Sequence, residues 1–201
     1  MASGESSDID VVEDALVEPP TLDAVAIVSV LNRHGVDYVV IGAFAAIAQH
    51  APIAPTRDID FTPDESTGNL ARLSDALSEL DARIRTGVDG GGLPFDHDAR
   101  SLRRADMWNL ICRYGELDIS FRPAGYDSGY AALVGRAHRV LVDGVQILVA
   151  DLDDVIRSKE LAGRPKDLRV LPALYRHQLS RRTAGRSDSP ASGGSGRMRP
   201  R

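Results

Sequence analysis

The chain has 201 residues, 43% of them hydrophobic, and a net charge of −5; that is one domain, or one and a half, with a real core. Its apolar runs, such as 38–48 and 145–150, fall well short of the roughly 20 residues that cross a bilayer, so no membrane role is expected. The acids near the start contain no basic n-region and argue against a secretory signal, and a lone Cys112 allows no internal disulfide and points to a reducing cytoplasm.

Residues 1–20 carry six acids and no base, and 176–201 carry seven Arg and one Asp. These ends cancel, so the middle carries the whole net charge. Residues 1–20 read as a flexible acidic N-terminus, closed by Pro19-Pro20. Thr21 caps a helix to about His34, with Leu22, Val25, Val28 and Leu31 as its apolar side and Gly35 as its stop. Val36 to Ile41 reads as a buried strand. Gly42 then turns the chain into a short apolar helix, Ala43 to about Gln49. Pro52 and Pro55 keep the next stretch irregular.

A short strand follows at Arg57-Asp58-Ile59-Asp60-Phe61. Strand side chains alternate between faces, so Asp58 and Asp60 project together while Ile59 and Phe61 point inward. A helix over Thr67 to Leu80 has Leu70, Leu73, Leu77 and Leu80 in register. A short strand over Ala82 to Thr86 follows. Residues 87–106 read as a mobile loop. Its triple glycine lacks the Gly-Lys-Ser/Thr of a phosphate loop, and Asp96-His97-Asp98 reads as solvated.

Trp108 to Cys112 and Glu116 to Phe121 form two strands around Tyr114-Gly115. Arg139 to Val142 and Val145 to Val149 form a hairpin on the two-residue turn Asp143-Gly144. Asp151 caps the next helix, with Asp154 in its first turn and Pro165 at its close. A last helical segment runs from about Lys166 to Leu179, where Pro172 is expected to kink or split it. The expected domains are 21–182 and a disordered basic tail, 183–201, rich in Ser, Gly, Arg and Pro. Strands and helices mixed without strict alternation indicate an α+β, or mixed α/β, core.

Paired carboxylates on one strand face suit a hard divalent cation, and magnesium prefers a few carboxylates plus substrate phosphates. A third acid belongs on a neighbouring strand. Asp118 is the natural donor, and Glu116 shares its face and competes with it. Of 24 basic residues only Lys159 and Lys166 are lysine, and both fall in Lys159-Glu160-Leu161-Ala162-Gly163-Arg164-Pro165-Lys166-Asp167. Lysine is a compact point charge and arginine a planar fork, so a site that needs the former does not drift to the latter. Leu152, Val155 and Ile156 form an apolar stripe that Lys159 continues. An inward ammonium needs a negative partner.

Ile41-Gly42-Ala43, Thr56-Arg57-Asp58-Ile59-Asp60 and Leu117-Asp118-Ile119 together resemble the nucleotidyltransferase superfamily of the DNA polymerase β type. The segment from Lys159 to Asp167 resembles its AbiEii-type branch, which includes toxins of toxin–antitoxin systems. The resemblance covers roughly residues 22–179. It implies a small mixed sheet flanked by helices, with a C-terminal helical segment. It implies Mg2+ at Asp58, Asp60 and Asp118, and a nucleoside triphosphate held by Gly42, Ala43, Arg57, Lys159, Arg164, Lys166 and Asp167. Lys159 joins the three acids as a catalytic candidate.

The implied reaction moves a nucleoside monophosphate to an acceptor hydroxyl and releases pyrophosphate. The acceptor is a tRNA 3′ end if the chain is such a toxin, with a cognate antitoxin as partner. Small-molecule (antibiotic) transfer and a catalytically silent binding or antitoxin protein are the alternatives. An RNA acceptor would meet Arg100, Arg103 and Arg104 or the Arg-rich tail. The chain departs from the family pattern at Ala43, where a serine or glycine is usual. It departs again at Ala54, in place of a basic residue, and at Val170, in place of an acid.

Overall fold

The computed structural model describes residues 20–87 and 91–187; the acidic N-terminal segment up to Pro19 and most of the basic tail lie outside the described residues. The first helix, α1 (Ala24–Arg33), is capped by Asp23, whose carboxylate accepts from the Ala26 amide at 2.9 Å. Thr21 is therefore not the cap. Asp23, two residues further along and directly ahead of Ala24, supplies the accepting side-chain oxygen instead. The buried stripe is Ala24, Ile27, Val28, Val30 and Leu31, and Leu22 packs against the core from ahead of the helix.

Strand β1 (Tyr38–Ile41) leads into α2 (Gly42–Ala48). Strand β2 (Asp58–Pro63) runs antiparallel beside β1 and pairs Ile41 with Asp60. Helix α3 (Thr67–Leu80) buries Leu70, Leu73, Leu77 and Leu80 completely. Each such side chain contributes roughly 2 kcal/mol of hydrophobic stabilisation. Strand β3 (Arg83–Ile84) is shorter than the alternation suggests, though the Arg85 amide still bonds the Asn109 carbonyl at 2.9 Å.

The stretch expected to be a mobile loop has order in its described part. Ile84 bridges to Leu93, and α4 (Ala99–Leu102) is capped by Asp98. Leu102 is fully buried, and its carbonyl accepts the Trp108 indole N–H at 2.9 Å. One apolar anchor and one cap suffice to fix a turn of helix that carries too little periodicity to be read. Strands β4 (Met107–Cys112) and β5 (Gly115–Ser120) follow as a hairpin. The short α5 (Tyr130–Leu133) corresponds to no periodic pattern.

Strands β6 (His138–Val142) and β7 (Val145–Val149) form the expected hairpin, with positive φ at both Asp143 and Gly144 as a type I′ turn requires. Helix α6 (Leu152–Ala162) is capped by Asp151 and ends at Gly163 in the left-handed conformation, not at Pro165. Pro165 instead opens α7 (Pro165–Ser187), where its missing N–H costs nothing. Pro172 lies inside this single helix and does not split it. The carbonyl it cannot bond belongs to Leu168, which is 50% exposed, so water can take the place of the lost amide. Helix α7 continues to Ser187, past residue 182.

The described strands form one seven-stranded mixed sheet in the order β3-β4-β5-β2-β1-β7-β6. The β2–β5 and β1–β7 pairs are parallel and the others antiparallel. Helices flank it: α1 and α3 pack together, and α6 packs against both α2 and α7. This is the mixed α/β architecture with a C-terminal helix that the sequence pattern predicts. Among the described residues no helix is long and apolar enough to cross a membrane.

Candidate active site

The parallel pairing of β2 with β5 sets Asp58 opposite Glu116 and Asp60 opposite Asp118. Ile59 and Phe61 are fully buried, as the alternation requires. Asp58, Asp60 and Asp118 are each half-buried, and one carboxylate oxygen from each lies within 4.8 Å of the other two. Asp118, not Glu116, completes the cluster.

Glu116 has a different role. Its carboxylate is ion-paired with Arg85 Nη1, and Arg85 Nη2 reaches both oxygens of Asp118 at 3.0 and 3.2 Å. Arg85 lies across the sheet from the acids: it aligns with Asn109, Asn109 with Asp118, and Asp118 with Asp60. Sequence reasoning missed Arg85. The signal was an arginine on a short strand, and nothing in the sequence says which hairpin that strand joins. Thr56 also supports the cluster, donating its hydroxyl to Asp58 Oδ1 at 2.6 Å.

The electrostatics follow from crowding. Burial pushes the Asp60 carboxyl up to about 7, and repulsion from Asp58 and Asp118 adds to it, while Lys159 and Lys166 act in the opposite direction. The Asp118 carboxyl is also raised, chiefly by burial, with Arg85 opposing. The Asp60 carboxyl is thus held up mainly by its burial and next by its two acidic neighbours, with only partial relief from the two lysines. A set of carboxylate oxygens alone is a hard donor set, suited to Mg2+ or Mn2+ rather than to thiophilic metals. The residues present fit such an ion.

Gly42 lies directly against this cluster, with φ of +70°. Ala43 follows it in the first turn of α2. Arg57 is exposed just before β2.

The lysine segment assembles beside the acids. Lys159 is 11% exposed at its side chain, and its Nζ lies 3.0 Å from Asp167 Oδ1. Arg164 Nε takes the other oxygen of Asp167 at 2.6 Å. Asp167 is 1% exposed. Burial raises its carboxyl, but the bonds from Arg164 and Lys159 outweigh this and hold it below the usual carboxylate range. The negative partner that an inward Lys159 needs is thus Asp167. Lys166 is exposed, yet its charge still reaches Asp60. Of the proposed RNA contacts, Arg103 bonds the Glu65 carbonyl and the Thr67 hydroxyl, while Arg100 and Arg104 are exposed.

An acid pair on one strand, a third acid on its parallel neighbour and a helix opening at a glycine against them define a class of fold. No family profile matches the sequence, and no curated protein matches it. Solved structures do. A lincosamide antibiotic adenylyltransferase, bound to lincomycin, aligns with a TM-score of 0.51 at 12% identity, covering 78% of this chain and 98% of that one. The antibiotic-resistance protein ANT(2'')-Ia in complex with adenylyl-2''-tobramycin aligns at a TM-score of 0.48 and 14% identity, over 80% and 93%. An antigenic nucleotidyltransferase-like protein from Paracoccidioides brasiliensis aligns at 0.47 and 17% identity, over 78% of each chain. The chain has the nucleotidyltransferase fold.

Proposed function

We propose that this protein is a divalent-cation-dependent nucleotidyltransferase. It moves a nucleoside monophosphate from a nucleoside triphosphate to an acceptor hydroxyl: the hydroxyl gives up its proton to water, its oxygen bonds to the α-phosphorus, the bond from that phosphorus to the α–β bridging oxygen breaks, and pyrophosphate leaves with that oxygen. The observation that carries this reading is the convergence of Asp58, Asp60 and Asp118 within 4.8 Å. Asp58, Asp60 and Asp118 would hold Mg2+, which draws charge from the phosphates and orients them.

The chain's own residues do the remaining work. Gly42, having no side chain, lets the Asp60 carboxylate pack directly against the start of α2. Lys159 is preset by Asp167 at the rim of the cluster, where its ammonium neutralises β- and γ-phosphate charge. Arg164 and Lys166 add charge on the same side, and Ala43 and Arg57 flank the entry. Thr56 fixes the Asp58 carboxylate. Phosphoryl transfer asks for placement and charge neutralisation more than for covalent help, and this set supplies both.

The Lys159–Asp167 segment supports the AbiEii-type branch, and with it a tRNA 3′ hydroxyl as acceptor and an antitoxin as partner. The solved relative bound to lincomycin favours a second acceptor chemistry, a small-molecule hydroxyl. One assay separates them. The full chain is incubated with each labelled nucleoside triphosphate and Mg2+ in the presence of total RNA, total protein or a panel of hydroxylated antibiotics. Label in the RNA pool alone supports the toxin reading. Label on an antibiotic alone supports the second. Label in no pool with any nucleotide contradicts the proposed function.

A further inference from the structure

Among the described residues, Arg85 is the cation that is ion-paired with a member of the acid cluster. Its Nη2 lies 3.0 and 3.2 Å from the two oxygens of Asp118, and its Nη1 is paired with Glu116. Its side chain is about one-quarter exposed, and Glu116 is similar. The other cations near the acids are differently placed. Lys159 and Arg164 are both committed to Asp167.

We infer that Arg85 is a positioning residue that stands in for a cation at Asp118: anchored by Glu116, it keeps the acid cluster assembled before metal arrives and limits the nucleotide-free protein to one divalent ion. This rests on reading the acid cluster as a metal centre. The physical argument is one of charge. Three carboxylates with oxygens this close repel one another, and among the described residues only Asp118 has a guanidinium on it. The remaining pair, Asp58 and Asp60, is ion-paired with no cation among the described residues and is enough for one hard cation. A second ion near Asp118 would meet the fixed positive charge of Arg85 at close range, where the interior screens it poorly. Phosphate charge brought by a bound triphosphate would offset that repulsion. Arginine suits the role, since its planar fork reaches two carboxylates at once and does not lose its proton.

The test is Mn2+ uptake by the full nucleotide-free chain, followed by electron paramagnetic resonance, with melting temperature measured alongside. Wild type is expected to bind one Mn2+. Arg85→Gln is expected to bind its first Mn2+ at least about tenfold more tightly and to take up a second ion. Its metal-free form should melt lower and recover more on adding Mn2+. Arg85→Lys keeps the charge and should bind one ion, as wild type does. An Arg85→Gln curve that matches wild type overturns the proposal. So does an Arg85→Gln protein that stays unfolded at every Mn2+ concentration, because the metal should supply the missing charge. Asp60→Asn separates the two levels of the argument. If it binds Mn2+ as wild type does, the metal reading itself fails. If it loses Mn2+ while Arg85→Gln matches wild type, only the role of Arg85 fails.

Discussion

Gly42 and Asp60 touch: a Cβ added to Gly42 would lie 2.9 Å from Asp60 Cγ and closer still to Oδ2. The residue that opens α2 and the acid at the centre of the cluster are therefore fixed against each other by the pairing of Ile41 with Asp60. The glycine is required twice, for its positive φ and for the missing side chain. Gly42→Ala should push the Asp60 carboxylate out of the cluster. Mn2+ binding should weaken, and turnover should fall about 100-fold, as misplacement of a reacting group by about 1 Å does. Metal titration of the variant, with circular dichroism to confirm folding, checks this.

Asp60 makes a prediction about pH. Its carboxyl titrates near 7 in the folded metal-free protein, above its ordinary value of 3.8. The folded state therefore holds this proton more tightly than the unfolded chain, and the contribution to stability falls as pH rises from about 4 to about 7. Asp60→Asn removes the penalty. Without metal, the variant should melt higher than wild type at pH 8 and lose that advantage at pH 4, while transfer is abolished. Melting curves across that range check the sign. Metal affinity of wild type should also drop as pH falls through 7, because the proton competes with the ion.

Lys159 and Asp167 predict a graded series. Lys159→Ala leaves Asp167 bonded to Arg164, so the protein should fold while nucleotide affinity and turnover fall together. Lys159→Arg should also be impaired, since the fork does not replace a point charge. Asp167→Ala strips a buried anion from two cations and should destabilise the fold by roughly 3–5 kcal/mol. Isothermal titration with a nonhydrolysable triphosphate, paired with chemical denaturation, separates loss of binding from loss of stability.

The basic tail makes a simpler test. Arg181 and Arg182 belong to α7 and bond Gln49 and Asp153. Truncation after Ser187 spares these bonds and removes Arg197, Arg199 and Arg201. If the acceptor is tRNA and the tail contacts it, labelling of RNA should fall and lose part of its salt dependence, with nucleotide binding unchanged. Equal labelling by both forms removes the tail from acceptor binding.

Much of this was legible in the residues because it depends on short-range pattern. Alternation placed Asp58 and Asp60 on one face, the leucine register matched α3 end to end, and Asp143-Gly144 named its hairpin turn. The apolar stripe of α6 placed Lys159 inward and required an anion for it. What was not legible depends on how distant strands meet. The choice of Asp118 over Glu116, and the reach of Arg85 over Asn109, follow from the order β3-β4-β5-β2. No local pattern encodes that order. Pro172, expected to kink or split the last helix, does not split it; the carbonyl it frees belongs to the exposed Leu168, where water can serve.

The central claim is transfer of the α-phosphoryl group with its nucleoside, supported by the three acids. It is tested most directly by running one reaction with triphosphate labelled at the α-phosphorus and a parallel one labelled at the γ-phosphorus, with Mg2+ and the acceptor pool. The α-label should appear on the acceptor and the γ-label in pyrophosphate, in equal amounts, with Asp58→Asn inactive in both. Transfer of the γ-label to the acceptor, or equal α-labelling by Asp58→Asn, would contradict the account.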